Sequence, residues 1–235
     1  MSQLSFRAGL KAGVPIGLGY LSVSFAFGMM ARSGGLPLGI TVLISMTNLT
    51  SAGQLAGLGI LLSSASITEM ILAQFIINLR YALMSLSLSQ KLDSSIRFFD
   101  RFILSFGITD EIFAVASSNE SVGRKYLSGL IVIPYFGWTL GTLFGGIAGD
   151  ILPATITSAL GIAMYAMFLA IIIPPSKRFA PVFKVCILSI LISCLMHFLP
   201  IFHALSDGFI IIICAVIAAG FGAIFFPIQE VSHND

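Results

Sequence analysis

The chain has 235 residues, of which 57% are hydrophobic and 9% charged, and its net charge is +2. Its mean hydropathy is +1.02. A soluble domain carries about 25% charged residues, so a water-soluble fold is excluded, and so small a positive balance gives no footing for a nucleic-acid partner. A spanning helix needs roughly 20 apolar residues. Such runs fill the chain and read as a single all-α, polytopic membrane domain over 1–235.

In chain order, apolar segments are expected near 15–32, 38–62, 67–89, 102–118, 126–149, 153–173, 182–199 and 206–228. Arg7 and Lys11 precede an apolar stretch with no convincing small-residue cleavage site, so the first segment is read as an uncleaved span. Pro37, Pro153 and Pro181 open segments and Pro174, Pro200 and Pro227 close them, while Pro134 lies inside one and should kink it or break its first turn. The Asn48-Leu49-Thr50 sequon falls at membrane depth and reads as chance. Cys186, Cys194 and Cys214 lie within apolar runs and read as small buried hydrophobes, neither disulfide partners nor metal ligands.

The basic residues restrict the topology. They cluster at Arg7 and Lys11, at Lys91, Arg97 and Arg101, at Arg124 and Lys125, and at Lys177, Arg178 and Lys184. If every segment crossed, three of these clusters would break the positive-inside rule. If 38–62 and 102–118 enter and leave on one side, all clusters fall inside and only Arg32 is misplaced. About six full crossings then remain, with both termini cytoplasmic; seven or eight full spans is the alternative. The same two segments carry the polar interruptions, Met46 to Gly57 and Gly107 to Glu111. Irregular backbone at such depth is tolerated only inside protein or beside a wet cavity, and paired interrupted segments mark a transporter's central site.

Asp110 and Glu111 stand side by side in 102–118. Two carboxylates cost about 6 kcal/mol on insertion scales, and the strong apolar residues between Phe102 and Val115 return about 4 kcal/mol. The segment must therefore be enclosed by other helices. Arg80, midway along 67–89, is the expected partner of either Asp110 or Glu111, and the remaining acid is a candidate proton carrier. Gln74, Asn78, Tyr81 and Ser85 form a polar stripe on that helix, while Glu69 and Arg80 share a second face, so the helix should pack inside the bundle. If the first interrupted segment breaks near Gly53, the following half-helix offers free N–H groups to a carboxylate, with Gln54 adding an amide. Otherwise Gly53 and Gly57 simply permit close packing. Gly137, Gly141, Gly145 and Gly149, and likewise Gly9, Gly13 and Gly17, recur every fourth residue as packing ridges.

The pieces GVPIGLGY (13–20), SAGQ (51–54), NLRYALMSLSL (78–88), TDEIFA (109–114), YFGWTLGTLFGGIAG (135–149) and AMYAMFLAIIIP (163–174) together resemble the large subunit of AzlC-type branched-chain amino acid exporters (the LIV-E family). The resemblance implies a bacterial cytoplasmic-membrane exporter of valine, leucine, isoleucine or methionine, working with a small hydrophobic AzlD-type membrane subunit and without a cofactor. The family usually has His where Tyr81 stands, and a less polar stretch than Asn48–Gly53.

The favoured reading is a secondary exporter, not an enzyme. Its expected transport residues are Ser51, Gly53, Gln54, Asn78, Arg80, Thr109, Asp110 and Glu111, with Phe106 and Phe113 as apolar walls; the site suits an amino-acid zwitterion, and the expected driving force is proton exchange through the surplus acid. The alternatives are a rhomboid-type intramembrane serine protease using Ser51 and His197, whose flanking glycine pattern is missing here, and a non-transporting assembly subunit.

Overall fold

A computed structural model describes residues 5–149, 151, 162, 166, 169, 172–202 and 205–226. Its helices are α1 (Phe6–Ser33), α2 (Leu38–Thr47), α3 (Ser51–Leu62), α4 (Ile67–Ser89), α5 (Phe98–Ser105), α6 (Asp110–Ser117), α7 (Arg124–Gly149), α8 (Ala180–Phe198) and α9 (Asp207–Phe225). Among the described residues, α1, α4, α7, α8 and α9 are long and apolar enough to cross a membrane. Most of the expected segment 153–173, with Pro153 and Pro227, lies outside the described residues.

Both interrupted segments are broken helices, as their polar insertions implied. Proline was a weaker guide. Helix α1 begins nine residues before Pro15, capped by Ser5, whose hydroxyl accepts the Ala8 N–H at 3.2 Å, and runs on through the proline. Helix α7 likewise runs through Pro134, and residues 172–178 are helical through Pro174. In a bilayer, neighbouring helices and local adjustments satisfy the carbonyl that an interior proline frees.

The chain forms two compact units, one of residues 1–58 and 77–166 and the other of 59–76 and 167–235. In the first, the two glycine ridges pack against each other. Gly9 lies on the backbone of Tyr126 and Leu130, Gly17 on Ile133, and Gly28 on Thr142 and Gly146, while Gly137, Gly141, Gly145 and Gly149 lie on Gly17, Leu21, Phe25 and Met29. Both residue numbers rise together, so α1 and α7 run parallel in backbone-to-backbone contact. A β-carbon at Gly145 would strike the Phe25 carbonyl, whereas one at Gly19 would meet nothing within 4 Å. We therefore expect Gly145→Val to lower the thermal midpoint in detergent, overpacking costing about 1–3 kcal/mol, and Gly19→Ala to hold or raise it.

The breaks at 48–50 and 106–109 are hairpin tips. Gln54 Nε2 donates to Ile44 O and approaches Ser45 Oγ, each at 3.3 Å. A straight helix separates residues ten apart by about 15 Å, beyond the reach of a glutamine, so the chain turns back at Asn48–Thr50. The second hairpin is clamped at its base. Lys91, just past α4, donates to Ser117 O and, at 3.3 Å, to Asn119 O. Val122 N donates to Lys91 O at 2.8 Å, and Asp93 N to Val122 O at 3.1 Å. Arg124 Nε lies 3.3 Å from Asp100 Oδ1. The start of α5 and the end of α6 therefore share one level with the end of α4 and the start of α7. Each half of this hairpin has eight residues, about 12 Å of a core roughly 30 Å thick. Since α1 and α7 are parallel, this base lies at the N-terminal end of α1, and α2 starts from its C-terminal end. The two hairpins approach from opposite faces. Arg7, Lys11, Lys91, Arg97, Arg101, Arg124 and Lys125 all belong to one face. Arg32, on the other, sits in the last turn of α1 and donates to Leu36 O at 2.8 Å, where a cation suits a helix C-terminus.

Helix α4 departs from the expected interior position. Its stripe of Gln74, Asn78, Tyr81 and Ser85 is half-buried, but Phe75, Leu79, Leu83 and Leu86 are exposed on the other side. One polar stripe needs only one protein-covered face, so α4 lies on the outside. In the second unit, α8 packs on α9, with Gly222 against Val185. Glu69, 2% exposed, accepts the Gly208 N–H at 3.0 Å in the first turn of α9, where a carboxylate is favoured by the unpaired N–H groups. Cys214 is buried and Cys186 half-buried, but Cys194 is exposed, and all three are free. An apolar helix facing lipid exposes its small hydrophobes as readily as it buries them.

Candidate functional site: two half-helix starts at membrane depth

Each hairpin's second half-helix begins with a threonine cap. The Thr50 hydroxyl accepts from Gly53 N at 3.3 Å ahead of α3, and Thr109 accepts from Ile112 N at 3.4 Å ahead of α6. Ser, Thr, Asp and Asn are favoured there because their oxygens accept an orphan N–H. Each capping hydroxyl also meets a tyrosine from a long helix. Tyr81 of α4 donates to Thr50 Oγ1 at 3.1 Å. Tyr20 of α1 lies 2.6 Å from Thr109 Oγ1 and against Glu111 Oε2. A phenol has one proton and an ionised carboxylate can only accept. Tyr20 therefore donates to Glu111 and accepts from Thr109.

Asp110 and Glu111 occupy the first turn of α6, where the half-helix dipole favours negative charge. Arg80 Nη1 lies 2.8 Å from Asp110 Oδ2, with the two side chains 43% and 29% exposed. Arg80 Nη2 donates to Tyr81 Oη at 2.9 Å, and the guanidinium lies over the Tyr81 ring at 4.8 Å. Of the two expected partners, Arg80 thus takes Asp110, and Glu111 is held by a neutral phenol. The pair is partly open on this chain, not enclosed, because α4 lies on the outside.

Two side-chain bridges join the tips. One runs Thr50, Tyr81, Arg80, Asp110. The other runs from Gln54 to Trp138, whose Nε1 donates to Gln54 Oε1 at 3.2 Å, on to Tyr20, whose ring meets the Trp138 ring edge-on at 5.2 Å, and then to Glu111. Tyr135 of α7 adds a third contact, donating to Met46 O at 3.2 Å with its ring 6.2 Å from Phe106.

Residues 15–152 match the protein family described as AzlC protein. The chain belongs to the AzlC family. It is 37% identical over 174 residues to an uncharacterized membrane protein of Archaeoglobus fulgidus, covering 73% of this chain and 76% of that one. It is 28% identical over 184 residues to the inner membrane protein YgaZ of Escherichia coli K12, covering 74% of each. No solved structure matches it. This AzlC-family chain is a multi-pass helical membrane protein, and the matched span holds every bridging residue described above.

The expected site residues fall into two groups. Arg80, Thr109, Asp110 and Glu111 converge with Tyr20 and Tyr81. Ser51, half-buried, is the first residue of α3, and Gly53 is buried one turn start away; Asn78, half-buried, stands just before Arg80. Gln54 differs from expectation, because its amide is engaged within the first hairpin. Its Nε2 also reaches Asn48 O, Ser45 Oγ meets Thr142 Oγ1 at 2.7 Å, and Ser45 and Thr142 are fully buried. Phe106 borders the tips, but Phe113 packs into the apolar core around Ile112 and Leu130. Tyr20, Thr50 and Trp138 lie outside the set expected from the sequence. Tyr20 had a readable signal: it falls between Gly17 and Ser24 on the ridge face of α1, and a phenol on a packed face must find a partner.

Proposed function

We propose that this chain is the transport subunit of a secondary exporter for apolar amino acids such as valine, leucine, isoleucine and methionine, acting in the cytoplasmic membrane beside a small AzlD-type hydrophobic subunit. The observation that carries the reading is the meeting of two opposed half-helix starts with one arginine and two carboxylates. A zwitterion needs both charge signs a few ångströms apart in a site shielded from bulk water. Its carboxylate would replace Asp110 at Arg80, with Ser51, Gly53 and Asn78 alongside, and its ammonium would take the freed Asp110 or Glu111. Phe106, Tyr135 and Leu49 offer apolar surface for the side chain. Because the hairpins come from opposite faces, loosening one set of tip contacts opens one face while the other stays closed, which is what alternating access requires. The basic face is the cytoplasmic one by the charge rule, which puts the N-terminus inside.

Glu111, paired with no cation among the described residues, is the proton carrier in this reading, with Tyr20 as its donor. The test is transport by the two purified subunits in liposomes across a panel of amino acids, with and without an imposed pH gradient. Export of apolar amino acids that rises with an inward proton gradient is the expected result. Failure to move any member of the panel, with both subunits folded, would remove the reading.

A further inference from the structure

A cleft of about 340 Å³ lies between the C-terminal half of α4 and helix α5 and extends to Ile108 at the tip of the second hairpin. Helix α4 contributes Ser85, Leu86 and Ser89, and α5 contributes Arg101, Leu104 and Ser105. The serines bring little polarity. Ser89 donates to Leu86 O at 2.6 Å and Ser105 to Phe102 O at 3.0 Å, so two of the three lining hydroxyls serve their own helices. Arg101 is different: its guanidinium makes no hydrogen bond or ion pair among the described residues. The adjacent carboxylate of Asp100 is already engaged by Arg124 and by the Arg97 N–H.

A space this size with apolar walls does not hold ordered water, which needs polar partners. Lipid hydrocarbon is at hand, since Leu86, which lines the cleft, is exposed. A zwitterionic amino acid fits poorly, because no carboxylate lines the cleft to meet its ammonium. The uncommitted charge lies at the level of the last turn of α4, beside the basic clamp of Lys91 and Arg124. A helix of 23 residues is about 35 Å long, so that turn reaches the headgroup boundary of a core about 30 Å thick. We propose that this cleft is a binding site for one anionic phospholipid, its phosphate on Arg101 and an acyl chain between α4 and α5.

The proposal is independent of what the protein transports. The test titrates the full chain in neutral detergent with phosphatidylglycerol or phosphatidylcholine of the same acyl chains, read by native mass spectrometry and thermal unfolding. Phosphatidylglycerol should bind at least about fivefold more tightly, the worth of one cation at a membrane surface, and raise the midpoint. Arg101→Gln should erase that preference while leaving the lipid-free midpoint unchanged, and Arg101→Lys should keep it. Ser85→Leu, which fills the cleft, should weaken both lipids. Glycerol phosphate, having no acyl chain, should not bind. Equal binding of the two lipids, a preference that survives Arg101→Gln, or displacement of the lipid by valine would each overturn the assignment.

Discussion

Asp110→Asn should lower export by about tenfold, whereas Glu111→Gln should leave amino acid exchange running and remove its response to a pH gradient. The two neighbours differ because their partners differ. Asp110 faces the Arg80 guanidinium at 2.8 Å. Removing one member of a buried pair leaves the other charge uncompensated, at about 3–5 kcal/mol. That figure is for full burial; with the two side chains 43% and 29% exposed, solvent screening about halves it, and about 1.5 kcal/mol is roughly tenfold. Arg80→Gln should fall as far, and the double variant should recover thermal stability without recovering transport. Glu111 is held by the neutral Tyr20 hydroxyl. A glutamine can still accept that phenol's hydrogen bond but cannot take up a proton. Tyr20→Phe should slow the coupled rate and spare the uncoupled exchange. The measurement is labelled valine efflux and counterflow from liposomes at equal and unequal pH. Gradient-driven accumulation by Glu111→Gln at the wild-type level would exclude Glu111 as the carrier, and wild-type export by Asp110→Asn would exclude the ion pair from the pathway.

Gln54→Leu should be the most destabilising single change at the tips. Gln54 and Trp138 are each 2% exposed. The glutamine amide serves Ile44 O, Asn48 O and Ser45, and accepts from Trp138. Leucine would fill similar space but strand these groups, each buried unsatisfied group costing about 1–3 kcal/mol. A total near 4 kcal/mol is expected, read as a large fall in the thermal midpoint in detergent. Trp138→Phe removes the hydrogen bond to Gln54 and leaves a cavity in place of the indole's second ring, and should cost about 2–3 kcal/mol. The outcome separates two roles for Gln54. A positioning residue lowers the midpoint with the affinity of the surviving folded fraction intact, while a substrate ligand raises the transport KM with the midpoint unchanged.

Particular residues show why some of this was legible in the linear chain. Asp110 and Glu111 cannot lie in hydrocarbon unaided, so their need for polar partners follows from transfer energies that hold wherever the helices lie, although the Arg80–Asp110 pair is only partly enclosed and Glu111 meets Tyr20 instead. The polar insertions at Met46–Gly57 and Gly107–Glu111 break helices for the same local reason. The charge clusters foretold that both segments turn back, which the Gln54 contacts to Ile44 and Asn48 display for the first and the Lys91–Ser117 and Arg124–Asp100 contacts for the second. Where an inference needed a neighbour, it was less secure. The first segment is expected near 15–32, yet α1 begins at Phe6 and runs through Pro15 beside α7. Helix α4 was placed inside because two polar faces were counted, yet Glu69 and Arg80 find partners in different parts of the chain.

Composition and pattern alone determined the solvent, the helical class, the two broken segments and the existence of a charged centre, because each depends on the free energy of moving a residue type between water and lipid. The folded arrangement decided which carboxylate meets Arg80, that Tyr20, Tyr81 and Trp138 tie the two hairpin tips together, and that Gln54 is engaged within the scaffold. Those are matters of direction and reach between helices far apart in the chain. The fourfold glycine spacing announced a close helix contact, but it took the packing of α1 on α7 to show that each ridge is the other's partner.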